Sequence, residues 1–247
     1  MYQIALDGGF VSEISRSPVP DKNMSPDGRY MISHKEMKVL KIRGNEKYPD
    51  LSKSNAYVFD DLMIRHWDTW EEGAFDHVIL STMNNGIATS EKDLMKDEPY
   101  DCPQKPFGGD EDFIWHPDGK HIVYVAKKKY GTDYAISTNT DLYQYNIETG
   151  VTNNLTEANK GYDLSPQFNQ NGVLAWMQMK RDGFEADKQD LIVMVKGQLP
   201  LNLTAHRDDI HVEGFKWSED GRSIYFWAPI NGTLQLFQVN NPGLTKM

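Results

Sequence analysis

The chain has 247 residues, 39% hydrophobic and 11% aromatic, with 26 basic against 36 acidic side chains and a formal net charge of −10. So acidic a chain offers no basic face to release counterions, which argues against nucleic acid and anionic membranes as partners. No run approaches the ~20 consecutive apolar residues that cross a bilayer, and the lone Cys102 excludes an internal disulfide.

The chain opens on Tyr2-Gln-Ile-Ala-Leu-Asp-Gly-Gly9 and then Glu13-Ile-Ser15, a strand, a turn and a further strand. This start carries no charged leader and no apolar core, so no signal peptide is expected. Next comes Met24-Ser-Pro-Asp-Gly28, an Asp-Gly turn with a large apolar residue four positions before its glycine and the strand-like Tyr30-Met-Ile after it. Asp-Gly between apolar runs predicts a tight β-turn, because glycine reaches positive φ without strain. The run His77-Val-Ile-Leu-Ser-Thr82 with Asn85-Gly86 supplies the second half of the same unit.

Between those halves lies an insertion. Over Ala56 to Trp70 its apolar residues fall at 58, 59, 62, 63, 67 and 70, a spacing that predicts a helical insertion near 54–72. Arg65, His66, Asp68, Trp70, Glu71 and Glu72 gather at its end as the candidate peptide-facing residues. Two readings are open: the carboxylates anchor a cation such as a peptide's terminal amine through charge-assisted hydrogen bonds, or Arg65 and the acids pair with one another on the surface.

The unit then repeats. Trp115-His-Pro-Asp-Gly119, Phe168-Asn-Gln-Asn-Gly172 and Trp217-Ser-Glu-Asp-Gly221 recreate the turn, each followed by an apolar run beginning at Ile122, Val173 or Ile224. Each second half ends in a short tail: Asn154-Leu-Thr156, Asn202-Leu-Thr204 and Leu244-Thr245. The turn glycines Gly28, Gly119, Gly172 and Gly221 are spaced 91, 53 and 49 residues apart. Strand, turn, strand, loop, strand, turn, strand at about 40 to 50 residues marks a β-propeller blade. The fold expected is all-β and a single domain. It is a partial propeller of four four-stranded blades, near 20–98, 108–157, 162–204 and 211–247, after a leading half-blade over 1–15.

Strand alternation sends every Asp-Gly turn to one face. The long loops, 35–76, 97–109, 127–140 and 180–189, emerge on the other, which is therefore the functional candidate. No Gly-x-Ser-x-Gly nucleophile elbow, His-Glu-x-x-His or phosphate-binding Gly-rich loop occurs. His206 and His211 flank Asp208 and Asp209 without a third ligand type in view, so no metal and no cofactor is expected. The sequons at Asn154 and Asn202 read as the repeat's structural tail.

Arg65-His-Trp-Asp-Thr-Trp-Glu-Glu-Gly73 followed by His77-Val resembles a segment of the prolyl oligopeptidase family of serine peptidases, in its acylaminoacyl-peptidase and dipeptidyl-peptidase branch. So do Tyr100 to Gly109 running into Phe113-Ile-Trp-His-Pro-Asp-Gly-Lys120, and Lys180 to Asp187. The resemblance covers most of Arg65 to Lys188. It implies a propeller of about seven blades capping a C-terminal α/β-hydrolase domain and admitting short peptides. These 247 residues carry no hydrolase domain, so the chain alone is expected to be inactive and its partners to be short peptides and that domain, in a periplasmic or secreted parent. Too few blades for the ring would leave open propeller ends, through which a dimer is expected. The alternative is a free-standing TolB-like propeller that binds a protein partner.

Overall fold

The computed structural model describes residues 2–3, 10, 12–13 and 21–240. Of the leading half-blade, β1 (Tyr2–Gln3) pairs antiparallel with β2 (Ser12–Glu13). Its expected turn and the final Leu244-Thr245 tail lie outside the described residues.

Four antiparallel sheets follow in chain order. Sheet I contains β3 (Tyr30–Lys38), β6 (Ala74–Asn84) and β7 (Ile87–Asp93), with the isolated bridge Met24–Met31 standing where an innermost strand was expected. Sheet II has β8 (Phe113–Trp115), β9 (His121–Ala126), β10 (Asp141–Asn146) and β11 (Thr152–Asn154). Sheet III has β12 (Asp163–Phe168), β13 (Leu174–Gln178), β14 (Asp190–Met194) and β15 (Leu201–Asn202). Sheet IV has β16 (Gly214–Trp217), β17 (Ser223–Ile230) and β18 (Thr233–Asn240), three strands among the described residues.

Alternation along the strands explains why these runs are continuously apolar. Ile122, Tyr124 and Ala126 of β9 pack toward sheet I with Val78 and Leu80, while Val123 and Val125 pack toward sheet III with Leu174, Trp176 and Ile192. Ala175, Met177, Leu191 and Val193 of sheet III then meet Phe215, Ile224 and Phe226 of sheet IV. A sheet buried on both faces needs apolar residues at both parities, and the core is therefore a series of layers between successive blades.

The two tryptophan anchors occupy one register, Trp115 opposite Ile122 and Trp217 opposite Ile224, while Phe168 stands opposite Leu174 because its turn is one residue shorter. The tryptophans also stitch blades together. Trp115 Nε1 donates to the carbonyl of Asn23 at 2.9 Å and Trp217 Nε1 to that of Gln167 at 3.2 Å, in each case the residue just before the preceding blade's anchor.

The insertion corrects one expectation. No helix forms near 54–72; the helical pieces of the insertion are α1 (Gly44–Lys47) and a 3-10 turn at Pro49–Leu51, and the expected helical stretch ends instead in the hairpin β4 (Arg65–His66) and β5 (Thr69–Trp70). Tyr57 and Phe59 stack with their rings 5.9 Å apart and Trp70 lies 5.6 Å from Tyr57. Rings at i and i+2 on one side signify extended backbone, so period-2 stacking on a tryptophan overrides the weak helical spacing. The remaining helix, α2 (Thr132–Ile136), lies in the β9–β10 loop.

Candidate functional site

The insertion is closed at its base by Gly73, whose carbonyl accepts from the amides of Val39 (2.8 Å) and Leu40 (2.9 Å). Gly73 has φ +74°, and a Cβ there would collide with the Leu40 carbonyl, so this crossing admits only glycine. Further out, Gly44 N–H donates to Ala56 O and Val58 N–H to Ile42 O, folding 56–58 back along 42–44. Glu46 caps α1 by accepting from the amides of Ile42 and Arg43 at 3.1 and 2.9 Å.

This folding encloses a cavity of about 300 Å³ on the face of the long loops. Leu40, Ile42, Val58 and Met63 of the insertion and Phe75 of β6 give it apolar walls, Lys41, Lys47, Asp60 and Asp61 add charge from the insertion, Pro99 and Asp101 come from the sheet I–II connection, and Lys129, Tyr130 and Tyr134 from the β9–β10 loop. Three segments distant in sequence thus converge, as ligand cavities commonly require.

The six residues singled out by sequence do not converge. Glu71 and Glu72, neighbours on an extended segment, point to opposite sides. Glu72 turns to Arg43, whose Nη2 lies 2.6 Å away, and accepts the Tyr57 hydroxyl at 2.6 Å, while the Arg43 guanidinium sits 3.9 Å over the Tyr57 ring. Arg65 lies over the Trp70 ring at 5.8 Å, and Trp70 is 46% exposed. His66 rests against Trp67, which meets Phe107 edge-on at 5.6 Å; Asp68 is exposed at the hairpin tip. Arg65 therefore forms no pair with Glu71 or Glu72; the arginine partner of Glu72 is Arg43.

Glu71 alone of the six lines the cavity. Its carboxylate is half-buried and, among the described residues, has no hydrogen-bonding or ion-pair partner. Burial, reinforced by the negative charge of Asp101 and opposed by Lys105, pushes its pKa above the usual glutamate range. Asp101, 4% exposed, accepts from Asp76 N at 2.9 Å and from Lys105 Nζ at 3.0 Å, and burial raises its pKa as well. Burial, with the Asp101 and Glu71 charges behind it, pushes the Tyr134 phenol up to about 12, which keeps it a neutral hydroxyl at the cavity wall. The result is a cavity of apolar walls with charged groups of both signs at its edge, in which the Glu71 carboxylate is half-buried and Lys105 offsets its charge only in part. Sequence reading missed Asp101, Tyr130 and Tyr134, although the loops that bear them are recognisable as elaborated.

Histidine and carboxylate donors gather once among the described residues, at His116, Asp118 and His121 in the β8–β9 turn. Their nitrogen lone pairs are in use. His116 Nδ1 accepts the Asp118 amide at 3.0 Å, and His121 Nε2 faces Asn146 Nδ2 at 3.0 Å. Asn146 Oδ1 takes the amides of Glu148 and Thr149, which fixes its amide orientation, so His121 accepts at Nε2 and donates from Nδ1 to Asp118 at 2.8 Å. This arrangement is a hydrogen-bonded turn.

No family model matches the chain. It is 38% identical over 219 residues to dipeptidyl-peptidase 5 of Porphyromonas gingivalis, a match covering 87% of this chain and 31% of that protein. It is 35% identical over 242 residues to dipeptidyl-peptidase 5 of Porphyromonas endodontalis, covering 97% of this chain and 35% of the relative. The chain thus spans about a third of the length of these curated relatives. In fold it resembles the acylaminoacyl peptidase of Pyrococcus horikoshii, with a TM-score of 0.56 at 11% identity over 96% of this chain and 33% of the other.

Proposed function

For a chain that belongs to the propellers of the prolyl oligopeptidase family, we propose the role of the non-catalytic propeller portion of a dipeptidyl- or acylaminoacyl-type serine peptidase, binding short peptides and gating their passage to a hydrolase domain. One observation carries this reading. Glu71 presents a half-buried carboxylate with no hydrogen-bond or ion-pair partner among the described residues to a partly apolar cavity of about 300 Å³. A half-buried anion that no cation directly pairs with is costly, and a ligand that brings a cation reduces that cost. A short peptide with a free α-amine and an apolar side chain supplies both complements. The bond-breaking chemistry belongs to the hydrolase domain, because the chain has no nucleophile elbow of its own.

The test has two arms. The 247-residue chain is titrated with the tripeptide Gly-Phe-Gly and with its N-acetylated form, and the protein encoded by the whole reading frame is assayed on dipeptidyl chromogenic substrates. Binding of the free amine only, with turnover by the whole protein and none by the chain, is the expected result. Equal binding of the acetylated peptide overturns the cavity assignment. A reading frame without a serine nucleophile overturns the peptidase role and favours a binding propeller.

A further inference from the structure

The three Asp-Gly turns and the Asn-Gly turn at Gly172 serve as internal controls for one another, and one joint between them differs. In the first three turns the residue after the anchor, or its neighbour, faces the turn glycine of the next blade. Pro26 packs toward Gly119, with its Cδ 3.5 Å from where a Cβ would stand. Asn169 donates from Nδ2 to the Gly221 carbonyl at 3.1 Å. Both joints are thus bridged, by packing or by a hydrogen bond. At the joint between sheets II and III, His116 approaches Gly172 with Nε2 3.3 Å from the Cβ position, yet no hydrogen bond closes the gap. A cavity of about 310 Å³ opens beside it, on the face opposite the long loops.

Of the polar groups lining this cavity, the Asp118 carboxylate is taken up by the amides of Lys120 (2.8 Å) and His121 (3.2 Å) and by His121 Nδ1 (2.8 Å), and His121 Nε2 by Asn146, while three donors are left over. His116 Nδ1 accepts the Asp118 amide, so the neutral ring carries its proton on Nε2, and that N–H has no protein acceptor among the described residues. The ring is held by edge-on packing against Phe168 at 4.6 Å. Lys196 brings an ammonium to the same cavity with no ion-pair partner among the described residues. Gln144 adds a side-chain amide on the strand face where the next joint has the apolar Val193. Leu174 and Met194 make the rest of the lining apolar.

The turn itself does not require this chemistry. Ser25 and Ser218 occupy the position of His116 in two other turns, and each accepts an amide through its hydroxyl, that of Tyr30 or Ser223, at 2.9 Å. The histidine therefore adds something the turn does not need for folding. One N–H donor, one ammonium and one amide over an apolar floor match a monocarboxylate with an apolar tail, whose anionic head takes charge-assisted hydrogen bonds. We propose that the cavity between the β8–β9 and β12–β13 turns is a binding site for a small organic carboxylate, distinct from the cavity at Glu71.

The probe is sodium hexanoate, with hexanamide as its uncharged counterpart, and the readout is the Met194 methyl resonance in the 247-residue chain. N-acetyl-leucine and its amide form a parallel arm. The variants are Lys196→Met and His116→Ser, the second chosen because serine already folds this turn twice in the chain. Saturable movement of Met194 by the carboxylates, absent with the amides and weakened at least ~10-fold in each variant, is expected. Tighter binding of N-acetyl-leucine than of hexanoate assigns the site to a peptide C-terminus, and the reverse order to a free acid. No movement with either carboxylate, equal movement with the amides, or unchanged affinity in both variants overturns the proposal. Thermal melts of both variants establish that the fold is intact.

Discussion

Replacing Glu71 by glutamine should move peptide affinity and stability in opposite directions. The carboxylate has no ion-pair partner among the described residues, and burial together with Asp101 raises its pKa against a partial offset from Lys105, so at neutral pH its charge is a cost to the folded chain. A group whose folded pKa exceeds its unfolded value contributes most below the unfolded pKa and progressively less as pH rises through the folded one. E71Q should therefore be more stable than the parent at pH 7, by about 0.5 kcal/mol for a half-exposed position. That gain should vanish below about pH 4, where the glutamate is protonated in both states. The ammonium of a bound peptide loses a charge-assisted hydrogen bond, worth about 1.5–3 kcal/mol, so the dissociation constant should rise about 10- to 100-fold. Urea melts and calorimetric titration with Gly-Phe-Gly across pH 4 to 8 give both quantities. In the parent chain, affinity should fall and stability rise together as pH drops, about one midpoint above the ordinary glutamate range. A variant that binds as tightly as the parent, or one that is less stable, refutes the reasoning.

Trp115→Phe should cost about 2 kcal/mol in urea melts, about half from the lost hydrogen bond to Asn23 and half from the void, with Trp217→Phe behaving alike; no change would mean that the stitches are ornamental. Gly73→Ala should cost more than about 2 kcal/mol and abolish peptide binding, since its Cβ meets the Leu40 backbone; normal binding would show that the insertion closes some other way. Asp163 is fully buried, and burial pushes its pKa up to about 6 despite three side-chain donors, so its contribution to stability should decline as pH rises from about 4 to about 6, by about 3 kcal/mol at most. Asp163→Asn should flatten that slope, and an unaltered slope would locate the titration elsewhere. Light scattering should show the 247-residue chain as a dimer, because Leu234 and Leu236 stand exposed on β18, an edge strand among the described residues; a monomer at high concentration refutes this.

The sheets were legible in the sequence because their cause is local and repeated. An Asp-Gly turn fixes positive φ at Gly28, Gly119 and Gly221, an Asn-Gly turn does so at Gly172, and strands buried on both faces read as unbroken apolar runs. The insertion was illegible for the opposite reason. Its apolar residues are placed by partners far away in sequence: Tyr57 and Phe59 stack on Trp70, Val58 lines a cavity shared with Pro99 and Tyr134, and Trp67 adopts φ +48° at a hairpin tip beside Phe107. None of these contacts has a period. Among the six candidate residues, sequence identified the correct carboxylate segment but could not tell Glu71 from Glu72. The distinction rests on which side of an extended strand faces Arg43 and which faces the cavity.

The two faces of the blades vary under different constraints, and this explains why one hides its chemistry better than the other. On the face of the long loops, length itself varies, so function there announces itself as insertion. On the Asp-Gly face the glycines sit so close to the preceding turn that Asn169 lies 3.1 Å and His116 3.3 Å from their Cβ positions, which leaves no room for added chain. Only the identity of the facing residue can change: proline, histidine or asparagine across the three joints. Proline and asparagine close their joints, by packing and by a hydrogen bond respectively. Histidine is held away by its own Nδ1 bond to Asp118 and by Phe168, and so it keeps an N–H directed at open space. A substitution at a position that never changes length therefore leaves an unclosed joint beside a cavity, where the neighbouring repeats place a proline contact or a hydrogen bond.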